Sequence, residues 1–263
     1  MDIEVYLRVT FCVLSFIFGL CFGSFANVVI YRLPIGENIA KGGSHCTTCD
    51  YMLKWYDNIP LLSYIMLGGK CRKCKQKISP RYFLVELANG LIWFGFALLQ
   101  PHFGYVYSII AMLASTALIC CALIDLKHLF IPDSLNVFIA LLGVVACFID
   151  GEITLKSRLF GLLFSVVFYG GFYFVYRLLF KREGLGFGDV KLMSACGLCF
   201  GLKNTFFGTL AASVAGAIIL GLISLIAKKE RLNEYPFAPF LAVGMLISAF
   251  IGEFAVNAYL SLF

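Results

Sequence analysis

Residues 105–124 read YVYSIIAMLASTALICCALI, a stretch with no charged residue, and Asp125 follows at once. An α-helix crosses the hydrocarbon core of a bilayer in about 20 mostly apolar residues. Lipid offers backbone amides and carbonyls no partners, so the stretch predicts a helix that pairs them internally. Outward from it, comparable apolar runs recur at 5–30, 82–100, 134–150, 159–180, 190–203, 205–227 and 237–262. Together they predict about eight membrane segments. The short run at 190–203, rich in Gly, Cys and Ser, is the one whose loss would leave seven.

Composition agrees with that reading. Of the 263 residues, 61% are hydrophobic and only 14% charged, and the mean hydropathy is +0.91. A soluble domain carries roughly a quarter charged residues. The expected fold class is therefore an all-α integral membrane protein of about eight transmembrane helices with a small cytoplasmic four-cysteine loop. The expected division is a first membrane segment at 1–30, a polar loop at 31–81 and a helix bundle at 82–263. Asp2 and Glu4 stand where a cleaved signal peptide would carry positive charge, so the first apolar run reads as a retained segment.

The net charge is +6, and the basic residues sit beside apolar runs rather than on a nucleic-acid-binding face. Nine Lys and Arg fall between Arg32 and Arg81. Placing that loop in the cytoplasm puts Lys127, Lys181, Arg182, Lys228, Lys229 and Arg231 on the same side by alternation. Only Arg8, Lys156, Arg158 and Lys203 then fall near the opposite face, which orients the chain by the positive-inside rule. The expected location is a membrane, crossed several times, with lipid as a partner and nucleic acid excluded; the bacterial inner membrane is what the family resemblance given below implies.

Seven of the eleven cysteines lie in apolar runs and read as small buried hydrophobes. The other four form two CxxC pairs in the polar loop, Cys46/Cys49 and Cys71/Cys74, with 21 residues between the pairs. Two such pairs complete a closed tetrahedral thiolate site, the geometry of structural zinc, with a redox role or cysteines without metal as the competing readings. A loop of this size cannot bury a core of its own, and a metal staple answers that need. Gly42, Gly43, Gly68 and Gly69 stand just before the pairs, where turns are required.

Carboxylates at membrane depth are costly and mark functional sites. Asp125 ends one apolar segment, and Asp189 opens another in Gly184-Leu185-Gly186-Phe187-Gly188-Asp189-Val190-Lys191. The Lys/Arg topology puts both at one face. Two carboxyls a few ångströms apart share a proton and titrate as a pair, the arrangement that lets one activate water while the other protonates a leaving group. Two plainer readings stand beside this one: Asp189 as a helix cap and Asp125 as the ion-pair partner of Lys127. Asp133 is a rival partner that also reads as an N-cap, and Asp150 falls on the opposite face.

Several stretches then resemble one known family. Gly186-Phe187-Gly188-Asp189 matches the GxGD motif of membrane aspartic proteases. Asp125 with Ile131-Pro132-Asp133 resembles the first active-site region of the type IV prepilin leader peptidase and N-methyltransferase family. The likeness extends through Phe22-Gly23-Ser24-Phe25-Ala26-Asn27, the paired cysteines, Ser79-Pro80-Arg81-Tyr82 through Glu86, and Pro236-Phe237-Ala238-Pro239. The resemblance implies an enzyme that cuts the short basic leader from prepilins or pseudopilins at the cytoplasmic face and then methylates the new N-terminus. It implies Asp125 and Asp189 as the proteolytic pair, and S-adenosylmethionine as methyl donor. It ties the N-terminal region to methyl transfer, with Asn27, Arg81 and Glu86 as possible polar contacts; each also reads as a helix-end charge or a helix–helix hydrogen bond. Phe83, Leu185 and Ala238 replace the commoner Pro, Met and Gly of the family pattern. A GxGD protease with another substrate class, or a transporter or assembly factor with ion-carrying aspartates, are the competing readings.

Overall fold

The computed structural model describes residues 3–181, 185–226 and 235–260. Gly184, Arg182, Lys228, Lys229 and Arg231, which the sequence reading used, lie outside them. Helix dominates: α1 (Ile3–Arg32), α2 (Leu62–Met66), α3 (Pro80–Leu98), α4 (Gln100–His128), α5 (Asp133–Ile149), α6 (Leu155–Phe180), α7 (Phe187–Ile226) and α8 (Ala238–Leu260). Among the described residues, four stretches are long and apolar enough to cross a membrane: Ile3–Ile35, Gln100–His128, Leu155–Phe180 and Phe187–Leu222. Asp133–Ile149 and Ala238–Ile251 are shorter apolar helices.

The chain forms two compact units, Met1–Pro101 and His102–Phe263. In the first, α1 and α3 run antiparallel and touch through small residues. A Cβ on Gly23 would lie 2.8 Å from the Glu86 backbone, and one on Gly19 2.9 Å from that of Gly90. Without a hydrophobic drive between helices in lipid, such close backbone approach supplies the packing energy. Two amides fasten the pair: Asn89 donates to Gly19 O at 2.7 Å and Asn27 to Tyr82 O at 3.1 Å.

In the second unit, α7 is the central element and is not one rod. Gly201 has φ 75° and ψ 175°, which a side chain would resist, and the helix doubles back there. The contacts with α6 show the reversal. Gly197 lies against Gly161 and Gly201 against Ser157, but beyond the turn Phe206 meets Phe164 and Thr209 bonds Tyr169. The partner number on α6 falls and then rises, so 187–200 and 202–226 are antiparallel neighbours. The break that the sequence places near 204 lies at Gly201.

Arg158, one of the few basic residues that the charge count places near the opposite face, is fully buried. It forms an ion pair with the equally buried Asp150 and donates to the carbonyls of Leu198 and Cys199. Those carbonyls stand just before the Gly201 turn, where helical carbonyls lose their usual partners. Arg158 thus caps the first half of α7 from the neighbouring helix.

Candidate active site

Asp125 and Asp189 both lie in the second unit and are each 6% exposed. Asp125 is one turn from the end of α4, and its Oδ2 accepts a hydrogen bond from the Ala238 amide at 3.0 Å. Ala238 is the first residue of α8, so one of the unpartnered amides of a helix start is aimed at the carboxylate. Asp189 sits three residues after Gly186, whose carbonyl accepts from the Asp189 amide at 3.0 Å. Asp125 is close enough for its charge to act on Asp189.

Both glycines of the GxGD stretch are explained by crowding. A Cβ on Gly186 would meet Asp189 Oδ2 at 3.1 Å, and one on Gly188 would meet Ile131 Cβ at 3.2 Å. The second contact seats the start of α7 on the α4–α5 connection, just after Asp125. The rival Asp133 faces outward. Its carboxylate receives Lys191 Nζ at 2.8 and 3.0 Å, and Pro132, not Asp133, is the residue that precedes the helix. The sequence reading missed the Ala238 amide, since a backbone donor has no side-chain signature; the Pro236–Pro239 motif was its trace.

The four-cysteine loop belongs to the first unit. Each CxxC lies in a knuckle closed by one antiparallel bridge, His45 with Met52 and Lys70 with Lys77. The knuckles match residue for residue. Cys46 N donates to Tyr51 O and Cys71 N to Gln76 O, each at 2.9 Å, and Asp50 and Lys75 both turn at positive φ. Gly42, Gly68 and Gly69 are also at positive φ, but outside the knuckle turns.

The sulfurs all lie within 4.8 Å of one another, with Cys46–Cys74 at 3.9 Å and Cys49–Cys71 at 4.0 Å. A zinc ion bonded at 2.3 Å to four thiolates separates them by about 3.8 Å, so the donor set fits such an ion. The Thr48 amide draws the Cys46 thiol down to about 6. At Cys49 the Tyr51 amide pulls down, but burial and the other three thiols outweigh it and raise the thiol to about 11. Four thiolates together need a cation.

Asp57 braces the knuckles. It accepts Arg72 Nε at 2.6 Å, from inside the second CxxC, and the Tyr51 hydroxyl at 3.3 Å, from just after the first. Burial pushes the Asp57 carboxyl up, yet the Arg72 and Lys54 hydrogen bonds prevail and hold it below its ordinary value. Arg32, at the end of α1, donates to the carbonyls of Asn38, Lys41, Gly42 and Gly43 and so fixes the approach to the first knuckle.

Asn27, Arg81 and Glu86 gather at the loop end of the α1–α3 pair. Glu86 Oε2 accepts the Leu61 amide at 2.9 Å. Asn27 Oδ1 and Arg81 Nε are buried without a partner.

Residues 17–100 match the Bacterial Peptidase A24 N-terminal domain and residues 112–221 the Type IV leader peptidase family. The chain is 32% identical to the prepilin leader peptidase/N-methyltransferase of Stutzerimonas stutzeri, over 95% of this chain and 94% of that one. It is 33% identical to the protein of the same name from Pseudomonas aeruginosa, over 95% and 93%. It is also 33% identical to the type 4 prepilin-like proteins leader peptide-processing enzyme of Escherichia coli, over 91% and 93%. No solved structure matches. The two buried carboxylates, the glycines that seat them and the four-thiol loop thus occur in a chain that belongs to the type IV leader peptidase family.

Proposed function

We infer that this membrane protein cleaves the leader peptide from prepilins or pseudopilins and N-methylates the residue so exposed. The observation that carries the proteolytic half is the pair of buried carboxyls at the end of α4 and the start of α7, close enough to interact. One carboxylate takes a proton from water, which attacks the scissile carbonyl, and the partner protonates the leaving amine. The Ala238 amide holds the Asp125 carboxyl in place without consuming it. The substrate's apolar helix lies in the bundle, and its basic leader stays at the cytoplasmic surface beside the dyad.

The remaining assignments complete that reading. The eight apolar helical stretches, counting α7 as two, are membrane spans of the inner membrane, with the dyad facing the cytoplasm. Residues 1–30 form the first span, 31–81 the cytoplasmic loop and 82–263 the bundle with the protease site. Cys46, Cys49, Cys71 and Cys74 hold structural zinc, which folds the loop. S-adenosylmethionine supplies the methyl group, and the unpaired Asn27 Oδ1 and Arg81 Nε, beside Glu86, fit a polar ligand at the loop end of α1 and α3. The pathway served is pilus assembly or type II secretion.

The test is co-expression with a prepilin, scored by gel shift, for the wild type and for Asp125→Asn and Asp189→Asn. Loss of a general acid or base costs about 10²–10⁴-fold, so neither variant should cut detectably while both remain in the membrane. Near wild-type cleavage by either one removes that residue from the dyad.

A further inference from the structure

Helix α2 is amphipathic the wrong way round for a helix facing water. Leu62, Ile65 and Met66, at i, i+3 and i+4, share one face, and they are 58%, 62% and 83% exposed. Ser63, Tyr64 and Leu67 are the positions turned partly inward. The neighbouring turn, Trp55–Asn58, packs on α2 and adds Trp55, 79% exposed. A patch of this kind on a protein surface marks a site of contact.

The position of α2 identifies the occupant. The helix is fastened to the first two turns of α3: the Leu61 amide bonds Glu86, and the Tyr64 ring lies 5.4 Å from that of Phe83. Where α3 enters a bilayer, α2 lies beside it at the level of the headgroups. The exposed Lys54, just before the Trp55–Asn58 turn, and the exposed Lys70, just after α2, are the complement of anionic lipid headgroups, and an exposed Trp is the side chain favoured at that depth.

We propose that α2 is an interfacial helix, with Leu62, Ile65 and Met66 seated in the boundary between headgroups and acyl chains, so that the four-cysteine loop lies on the membrane rather than projecting into the cytoplasm. The proposal rests on reading α1 and α3 as membrane-crossing.

Native methionines supply the test. The full chain, in vesicles of phosphatidylethanolamine and phosphatidylglycerol, is treated with the water-soluble oxidant chloramine-T, and sulfoxide is mapped by mass spectrometry. Met66 should oxidise several-fold more slowly than Met52 of the same loop, although Met52 is the less exposed of the two at 57%. Met66 oxidising as fast as Met52 would overturn the proposal. A second reading separates lipid from protein cover: the tryptophan introduced by Met66→Trp, with Trp55 and Trp93 changed to Phe, is expected to be quenched by lipids brominated near the headgroup. A residue protected from oxidant but unquenched by bromolipid would mean that protein covers the patch, which also overturns it. Flotation with the vesicles is measured first, because a chain that fails to float has failed the membrane reading instead.

Discussion

The Ala238 amide donates to Asp125 Oδ2 at 3.0 Å, tying the start of α8 to a carboxylate at the end of α4. The donor comes from the positive end of a helix, where a charge-assisted bond is favoured. It belongs to the one part of residue 238 that most substitutions leave unchanged.

Proline is the exception. Ala238 is the first residue of α8, a position that tolerates proline in a helix. Ala238→Pro deletes the donor, whereas Ala238→Gly retains it. A hydrogen bond to a charged group contributes about 1.5–3 kcal/mol, a factor of roughly ten to a hundred. Prepilin cleavage should fall by that factor in the proline variant and stay within about threefold of wild type in the glycine variant. Equal cleavage by the two would show that the amide does not position Asp125.

Asp133 should be dispensable for cleavage. Its partner Lys191 and its own side chain are both substantially exposed, at 40% and 69%, and such pairs contribute about 0–1 kcal/mol. Asp133→Asn should therefore keep cleavage within about threefold of wild type in the gel-shift assay that scores Asp189→Asn. If Asp133→Asn abolishes cleavage instead, Asp133 has a role that an outward ion pair does not describe.

These contrasts also show what the sequence could reveal. The apolar runs announce helices because membrane depth imposes one length and one composition, and the two aspartates and four cysteines stand out because each type is costly or reactive where it lies. The break between the two halves of α7 shows in the sequence through polar Lys203 and Asn204, but its position at Gly201 does not, since Phe200-Gly201-Leu202 is itself apolar. The role of Arg158 is hidden in the sequence because its partner lies eight residues away across a turn, and only the packing of α6 on α7 shows the Leu198 and Cys199 carbonyls it serves.

The loop should depend on its metal and on Asp57. Cys49→Ser removes one of four donors, so bound zinc, measured by elemental analysis, should fall from about one equivalent to well below half, since structural zinc contributes folding energy directly. Asp57→Ala leaves every thiol in place but removes the carboxylate that both knuckles share. It should weaken retention of zinc against a chelator by roughly 10–100-fold, the usual effect of losing a supporting contact outside the ligands. Limited proteolysis in residues 38–78 should accelerate in parallel. Zinc retention unchanged by Asp57→Ala would mean that the knuckles assemble without that brace.

The Arg158–Asp150 pair should govern stability rather than chemistry. Breaking a buried pair by removing one partner leaves the other charge uncompensated and costs about 3–5 kcal/mol. Arg158→Met and Asp150→Asn should each lower the thermal midpoint of the detergent-solubilised protein by several degrees. The two are not equivalent, because Arg158→Met also strips hydrogen bonds from the Leu198 and Cys199 carbonyls. The double variant should therefore recover above Arg158→Met, once no lone carboxylate is buried, and yet remain below Asp150→Asn, which keeps those two bonds. A double variant as stable as wild type would show that the carbonyls at the Gly201 turn do not need the guanidinium, and that Arg158 serves Asp150 alone.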